Sequence, residues 1–373
     1  MNILIAPDKF KGTLTSLQVC RVITEALTVL LPQASCKVFP MADGGDGTVS
    51  VMLHHTGGTL QHAVVHDALG RPVPACYGIS HDGGTAFIEM AAASGLALLS
   101  PEERNPLHTS TFGTGELIKH ACKQHVKRIF LGIGGSATND GGAGALAALG
   151  IRFTDNKGRE FVPAGGTLAY TQHIDLAGRI PELDAISLTA LCDVSSPFTG
   201  PEGASYAFSL QKGANSLMAT ELEMGMQHFA GIISRFTGIN LNTVPGSGAG
   251  GGIAGGLHAL AGATLVPGIR AIMELTRFDE ALQWADVVIT GEGQVDGQTG
   301  KGKVVQGVLD ATGRHRKRVV VICGKCTVPA HQIKVPVFEL TAVAGEERSL
   351  AEPEKALQET CCEVAAWLSK LME

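Results

Sequence analysis

Aromatic residues are scarce in this chain: phenylalanine, tyrosine and tryptophan make up 5% of 373 residues, and only 2 are tryptophan. A core poor in large rings has to be built from alanine, valine, isoleucine and leucine, with backbone packed closely. Charge is sparse too, at 17%, and nearly balanced, with 29 basic against 35 acidic residues. That balance argues against nucleic acid or an acidic membrane as a partner. Low charge beside 45% apolar residues excludes a disordered chain. No signal-peptide pattern opens the sequence, because the apolar run Ile3-Leu4-Ile5-Ala6 is short and no basic segment precedes it. The most membrane-like stretch, residues 247–266, holds seven glycines and His258 and lacks an aromatic belt, which speaks against a spanning helix. The 9 cysteines are odd in number and scattered, as expected in a reducing cytoplasm. Cys323-Gly324-Lys325-Cys326 has redox or zinc spacing but no second pair, so structural thiols are the expectation.

Glycine is what the chain has in excess, 48 residues, nearly double the usual share of roughly 7%. These glycines cluster instead of recurring at every third position, which excludes collagen. The length predicts about two domains, each with its own core. Short apolar runs that end at glycine or an acid predict strands at Asn2–Ala6, Thr85–Glu89, Arg128–Gly132, Ile186–Cys192, Asp286–Thr290 and Arg318–Cys323. Apolar spacing near 3.6 predicts helices at Ser16–Leu30, Glu116–Gln124, Gly142–Leu149, Ser216–Phe236 and Glu354–Leu371. The alternation predicts an α/β protein of two α/β domains with mainly parallel sheets. The middle of the chain is richer in irregular loops. This predicts a discontinuous domain, 1–65 plus 265–373, with 66–264 inserted as the second, and a ligand site in the cleft between them.

Four segments carry the chemistry. Asp8-Lys9-Phe10-Lys11-Gly12 follows the first strand and offers an acid and two lysines where α/β sheets bind ligands. Asp43-Gly44-Gly45-Asp46-Gly47-Thr48 sets two carboxylates among glycines, suited to Mg²⁺ or to capping the next helix with Asp46. Gly132 to Gly144, containing Gly134, Gly135, Ser136, Thr138, Asn139 and Asp140, runs from a strand into an alanine-rich helix. Free N–H groups and a helix N-terminus there suit phosphate. No Gly-Lys-Ser/Thr ends it, so it is not a Walker A loop, and it fits the dinucleotide fingerprint poorly. Gly291-Glu292-Gly293 to Lys303 is read as a glycine-framed loop with Glu292, Asp296, Lys301 and Lys303, the metal ligands, cations and proton acceptor that phosphoryl transfer requires. Asp193 ends a strand, and Lys212 is a lone cation. The glycine-rich run 246–256 carries neither acid nor lysine and is read as close packing. No His-Glu-x-x-His metal pattern and no nucleophile elbow is present.

Together these segments resemble the bacterial type-1 glycerate kinases. The resemblance rests on Asp8-x-Phe10-Lys11, Ala42-Asp43-Gly44-Gly45-x-Gly47-Thr48, Ile88-Glu89-Met90-Ala91-Ala92-Ala93-Ser94-Gly95-Leu96, Gly113-Thr114-Gly115-Glu116, Ile133 to Gly144, Cys192-Asp193-Val194, Gln211-Lys212-Gly213-Ala214 and Ile289-Thr290-Gly291-Glu292-Gly293. It runs in order to about residue 325 and is weak beyond. It implies two α/β domains, one Rossmann- or flavodoxin-like, around an active site in the interdomain cleft. It also implies phosphorylation of D-glycerate with ATP and Mg²⁺, the 2-phosphoglycerate isomer being expected over the 3-isomer. On this reading the segment from Gly134 to Asp140, Gly291 and Glu292 bind nucleotide. Lys11, Lys212 or Lys303 bind carboxylate or phosphates. Asp43, Asp46 and Glu292 hold Mg²⁺, and Asp193 or Asp296 is the base. Two departures stand out: Asp46 where the family has Glu, and Gln294 where it has Arg. A kinase for another small hydroxy acid, a non-catalytic nucleotide or anion regulator, and a Rossmann dehydrogenase are the alternatives.

Overall fold

The computed structural model describes residues 1–296, 304–328 and 333–372. Along the chain its strands are β1 (Asn2–Ile5), β2 (Ser35–Val38), β3 (Thr59–His66), β4 (Pro72–Ile79), β5 (Thr85–Glu89), β6 (Arg128–Gly132), β7 (Arg152–Thr154), β8 (Glu160–Phe161), β9 (His173–Asp175), β10 (Ser187–Leu191), β11 (Thr264–Val266), β12 (Val287–Val295), β13 (Arg318–Cys326) and β14 (Val337–Glu339). The chain divides into two compact units, Met1–Asp43 with Ile269–Glu373, and Gly44–Gly268. A boundary at residue 65 falls within β3, whose full length pairs with β4, so residues 44–65 pack with the second unit.

The first unit is built on a five-stranded sheet of order β14-β13-β12-β1-β2, parallel throughout. Ile3, Leu4 and Ile5 of β1, Val287 to Ile289 of β12 and Val320 to Ile322 of β13 are all buried, as expected of parallel strands covered on both faces. Helix Ser16–Leu30 begins with a capping box. Thr15 Oγ1 accepts from the Gln18 N–H, and Gln18 Oε1 accepts from the Thr15 N–H. Its Val19, Ile23 and Leu27 join Leu357, Val364 and Leu368 of helix Pro353–Lys370 in one core with the sheet. Cys323 and Cys326 lie three apart on β13, in one apolar cluster with Val295, Val305 and Val321, and both are free thiols.

The second unit holds a six-stranded sheet of order β11-β10-β6-β5-β4-β3. Its β11, β10, β6 and β5 are parallel, while β4 and β3 form an antiparallel hairpin that the sequence pattern left unassigned. A small antiparallel sheet, β8-β7-β9, lies in the same unit. No helix among the described residues is long and apolar enough to cross a membrane. The scarcity of large side chains is met by backbone contact. Helix Phe112–Cys122 approaches helix Ala143–Ala148 so closely that a Cβ on Gly115 would stand 2.3 Å from the Ala145 carbonyl oxygen. Replacing Gly115→Ala is expected to destabilise the protein by about 1–3 kcal/mol through overpacking. Urea unfolding measures this, and a variant as stable as the parent would contradict the contact.

Candidate active site

The chemically active segments leave the carboxyl ends of parallel strands, where α/β sheets bind ligands. In the second unit Glu89 of β5, Gly132 of β6 and Leu191 of β10 are paired side by side. The glycine loop therefore emerges between Glu89 and Asp193. Segment 44–46 lies directly on these strand ends. A Cβ on Gly132 would be 2.3 Å from the Gly44 carbonyl oxygen, and one on Gly134 would be 2.8 Å from the Gly45 Cα. Asp46 is exposed, and its Oδ1 would be 2.9 Å from a Cβ on Gly135. Asp46 does not cap the following helix. Gly47 does, in left-handed backbone without a side-chain bond. The first-turn N–H of Val49 is taken by Glu89 instead, at 2.7 Å.

Within the loop, buried Asp140 accepts from Thr111 N–H and Oγ1 and from the N–H groups of Gly142 and Gly144. Burial pushes its carboxyl up, and these bonds oppose the rise. The helix that follows is only Ala143–Ala148, and its first amides are already engaged by Asp140. The expected helix-end contribution to anion binding is therefore reduced. The loop amides remain. Among the described residues, no protein group accepts from the N–H of Gly134, Gly135, Ser136, Thr138 or Asn139. Gly134, Gly135 and Ser136 reach the surface, so their amides are open to a ligand or water, whereas Thr138 and Asn139 are fully buried. The Lys212 ammonium is buried beneath the loop and donates to Ser136 Oγ and the Thr138 carbonyl, each at 2.7 Å. Burial lowers its pKa to about 7, and Asp140 partly opposes that fall. The glycine run 246–256 buttresses the same loop. Gly251 presses on the Thr138 carbonyl oxygen, 1.9 Å from where a Cβ would stand, and accepts from the Gly141 N–H at 3.0 Å. Asp193 is half-buried past β10, where its Oδ1 accepts from the Gly268 N–H at 3.0 Å.

In the first unit β1 ends at Ile5 beside Ile289 of β12, and past that end the Asp8 N–H donates to the Gly291 carbonyl at 2.8 Å. Asp8 is buried, with its carboxyl raised to about 7 by burial foremost. The charges of Asp43 and Glu292 add to the rise, while Lys9 opposes it. The Lys9 ammonium lies 3.9 Å from Asp8 and 3.7 Å from Asp43. Lys11, favoured from the sequence, points its side chain to solvent, and its backbone rests on Gly293. Asp8 and Lys9 are thus the more deeply set charges of this segment. Their burial was not readable from a loop sequence alone. Strand β12 continues to Val295, so Gly291 and Glu292 are strand residues and not part of a loop. The reason is that β13 pairs with β12 as far as Cys326. Asp296 follows the strand, with Gln294 Nε2 at 3.5 Å from its Oδ2. Lys301 and Lys303 lie outside the described residues.

The model of the glycerate kinase family matches residues 3–369. The chain belongs to that family. It is 43% identical to the glycerate 2-kinase of Escherichia coli (strain K12) over 348 residues, covering 92% of this chain and 91% of the relative. The glycerate kinase of Bacillus subtilis (strain 168) is 44% identical over 324 residues, 87% of this chain and 85% of that one. A crystal structure assigned to glycerate kinase 2 of Salmonella typhimurium LT2 superposes with a TM-score of 0.87 at 40% identity, covering 100% of this chain and 99% of the other. The glycerate kinase match extends past residue 325, where the sequence motifs had faded.

The raised Asp8 carboxyl has a consequence for stability. Between pH 4 and 7 native Asp8 keeps a proton that the unfolded chain, with an ordinary value of 3.8, has released. Stability from this group therefore falls as pH rises through that window and is constant above it. Unfolding of the wild type and of Asp8→Asn across pH 4 to 9 is expected to show the wild type losing ground up to about pH 7. A pH-independent difference would refute the assignment.

Proposed function

We infer that this chain is a glycerate 2-kinase, transferring the γ-phosphoryl group of ATP to the 2-hydroxyl of D-glycerate. The observation that carries this reading is a glycine loop with unengaged amides at the carboxyl end of a parallel sheet, in a chain of the glycerate kinase family. Loop amides of Gly134, Gly135 and Ser136 suit phosphate oxygens, while Thr138 and Asn139 are sealed beneath them. Asp140 acts inside the loop, holding its turn.

The carboxylates fit Mg²⁺. Asp43 and Glu292 raise the proton affinity of Asp8, a charge set that a cation relieves. Mg²⁺ usually takes one or two carboxylates with phosphate oxygens and water, so a closed protein cage is not required. Asp43 and Glu292 would hold it, no third acid joining them in a metal cluster among the described residues, and Mg²⁺ there would neutralise charge on the transferring phosphoryl group. Lys11 and Lys303 are the cations for the substrate carboxylate or the phosphates. Asp193 or Asp296 takes the proton of the attacking hydroxyl, which leaves the alkoxide oxygen free to attack phosphorus.

Incubation with ATP, Mg²⁺ and D-glycerate should give 2-phosphoglycerate by phosphorus NMR, and failure to form any phosphoglycerate would sink the reading. Of Asp193→Asn and Asp296→Asn, the variant lacking the base is expected to lose about 10²–10⁴-fold in kcat with little change in KM for ATP. If both keep wild-type turnover, neither is the base. Side-by-side kcat/KM values on tartronate and other small hydroxy acids separate glycerate from its competitors.

A further inference from the structure

Lys212 sits on the short turn Leu210–Lys212 with its side chain out of solvent, and its ammonium donates into the protein at two points, Ser136 Oγ and the Thr138 carbonyl. A group so placed does not reach a ligand on the outer side of the loop. Its effect is on the loop itself. The peptide unit is planar and trans, so a Thr138 carbonyl drawn towards Lys212 turns the Asn139 N–H the opposite way. That N–H is among the unengaged amides. Gly251 closes the other route for the carbonyl, since even a Cβ there would overlap the Thr138 oxygen at 1.9 Å. Ser136 is affected in the same sense. Its hydroxyl oxygen accepts from Lys212, which leaves its single proton to donate elsewhere.

We propose that Lys212 is a positioning residue: by holding the Thr138 carbonyl and the Ser136 oxygen inward, it fixes the glycine loop so that the amides of Gly134, Gly135 and Ser136 are held ready for an anion. The assignment rests on the kinase reading above for the identity of the anion, a phosphate of the nucleotide or the carboxylate of glycerate. The charge of Lys212 matters as well as its bonds. Asp140 is the acidic group that acts on it, and that carboxylate is already engaged by Thr111, Gly142 and Gly144. Lys212 is therefore short of negative charge, in keeping with its lowered pKa of about 7. An anion on the loop supplies that charge, so anion binding and protonation of Lys212 are coupled. At pH 7.5 the free protein holds Lys212 partly neutral, and binding draws a proton from the buffer.

Calorimetric titration of the whole protein with ADP, and separately with D-glycerate, in two buffers of different ionisation enthalpy measures this uptake. One of the two ligands is expected to take up a fraction of a proton at pH 7.5 and none at pH 6. Lys212→Met should abolish that uptake and weaken the same ligand at least tenfold, while the other ligand stays within about twofold. Lys212→Arg, charged at every pH, should also show no uptake but retain more affinity. A residue with only a packing role would change neither proton count. Should Lys212→Met not fold, Ser136→Ala is the second variant, expected to weaken the same ligand while keeping the proton uptake. Binding without uptake in the wild type, or Lys212→Met binding both ligands normally, overturns the assignment and leaves the kinase reading intact. A wild type that binds neither ligand overturns both.

Discussion

The constraint on which the second unit depends is the near absence of space around the turn from Thr138 to Gly142. Thr138, Asn139 and Asp140 are fully buried although their chemistry is polar. Backbone from the run 246–256 presses on this turn from one side, with Gly251 against Thr138, Gly252 against the Gly141 Cα, and Gly256 against the Gly141 carbonyl. No residue with a Cβ can make those approaches. Buried polar groups are costly unless they are paired. The turn meets that cost by using Asp140 as an internal acceptor and Lys212 as an internal donor. The amides left over are those suited to a ligand. Among the described residues, Thr138 Oγ1 and Asn139 Oδ1 of this turn stay buried without a partner, so crowding here outweighs complete polar pairing.

The two units meet opposite electrostatic problems. In the first, Asp8 is buried beside Asp43 and Glu292, and the Lys9 ammonium lies at 3.7–3.9 Å from Asp43 and Asp8, too long for a tight pair. In the second, Lys212 is buried with an acid already committed elsewhere. One group is short of positive charge, the other of negative charge, and each has a pKa moved towards neutrality by desolvation. Sites left electrostatically incomplete are the usual mark of function, since a purely structural fold gains nothing from a desolvated, poorly paired charge.

Much of this was legible in the sequence. Runs such as Arg128–Gly132 and Arg318–Cys323 announce buried parallel strands because they need no polar face. Helix Ser16–Leu30 is announced by its periodicity and by Thr15 and Gln18 three apart. The glycine loop is recognisable because a strand leads in and small residues lead out. Other features required tertiary contact. The β3–β4 hairpin has mixed polar and apolar faces and lacks a tight Asn-Gly turn, so its pattern was weak. The extension of β12 through Gly291, Glu292 and Gly293 runs against the propensity of glycine, and only pairing with β13 explains it. Burial of Lys212 could not be inferred from Gln211-Lys212-Gly213, since a lysine between polar neighbours reads as exposed.

The two departures from the family pattern differ in kind. Asp46 lies against Gly135, a position with left-handed backbone and no side chain, so a carboxylate one methylene shorter still reaches the glycine loop. The change is one of reach, and the charge is kept. Gln294 lies on β12 with its amide 3.5 Å from Asp296. An arginine would bring both a donor and a full charge, whereas glutamine brings the donor alone. Orientation of Asp296 can thus be retained while local positive charge is lost. Charge acts over several ångströms and does not demand one origin. A hydrogen bond, by contrast, requires its partner in place. The substitution keeps the geometric part of the arginine's role and gives up the part that is replaceable.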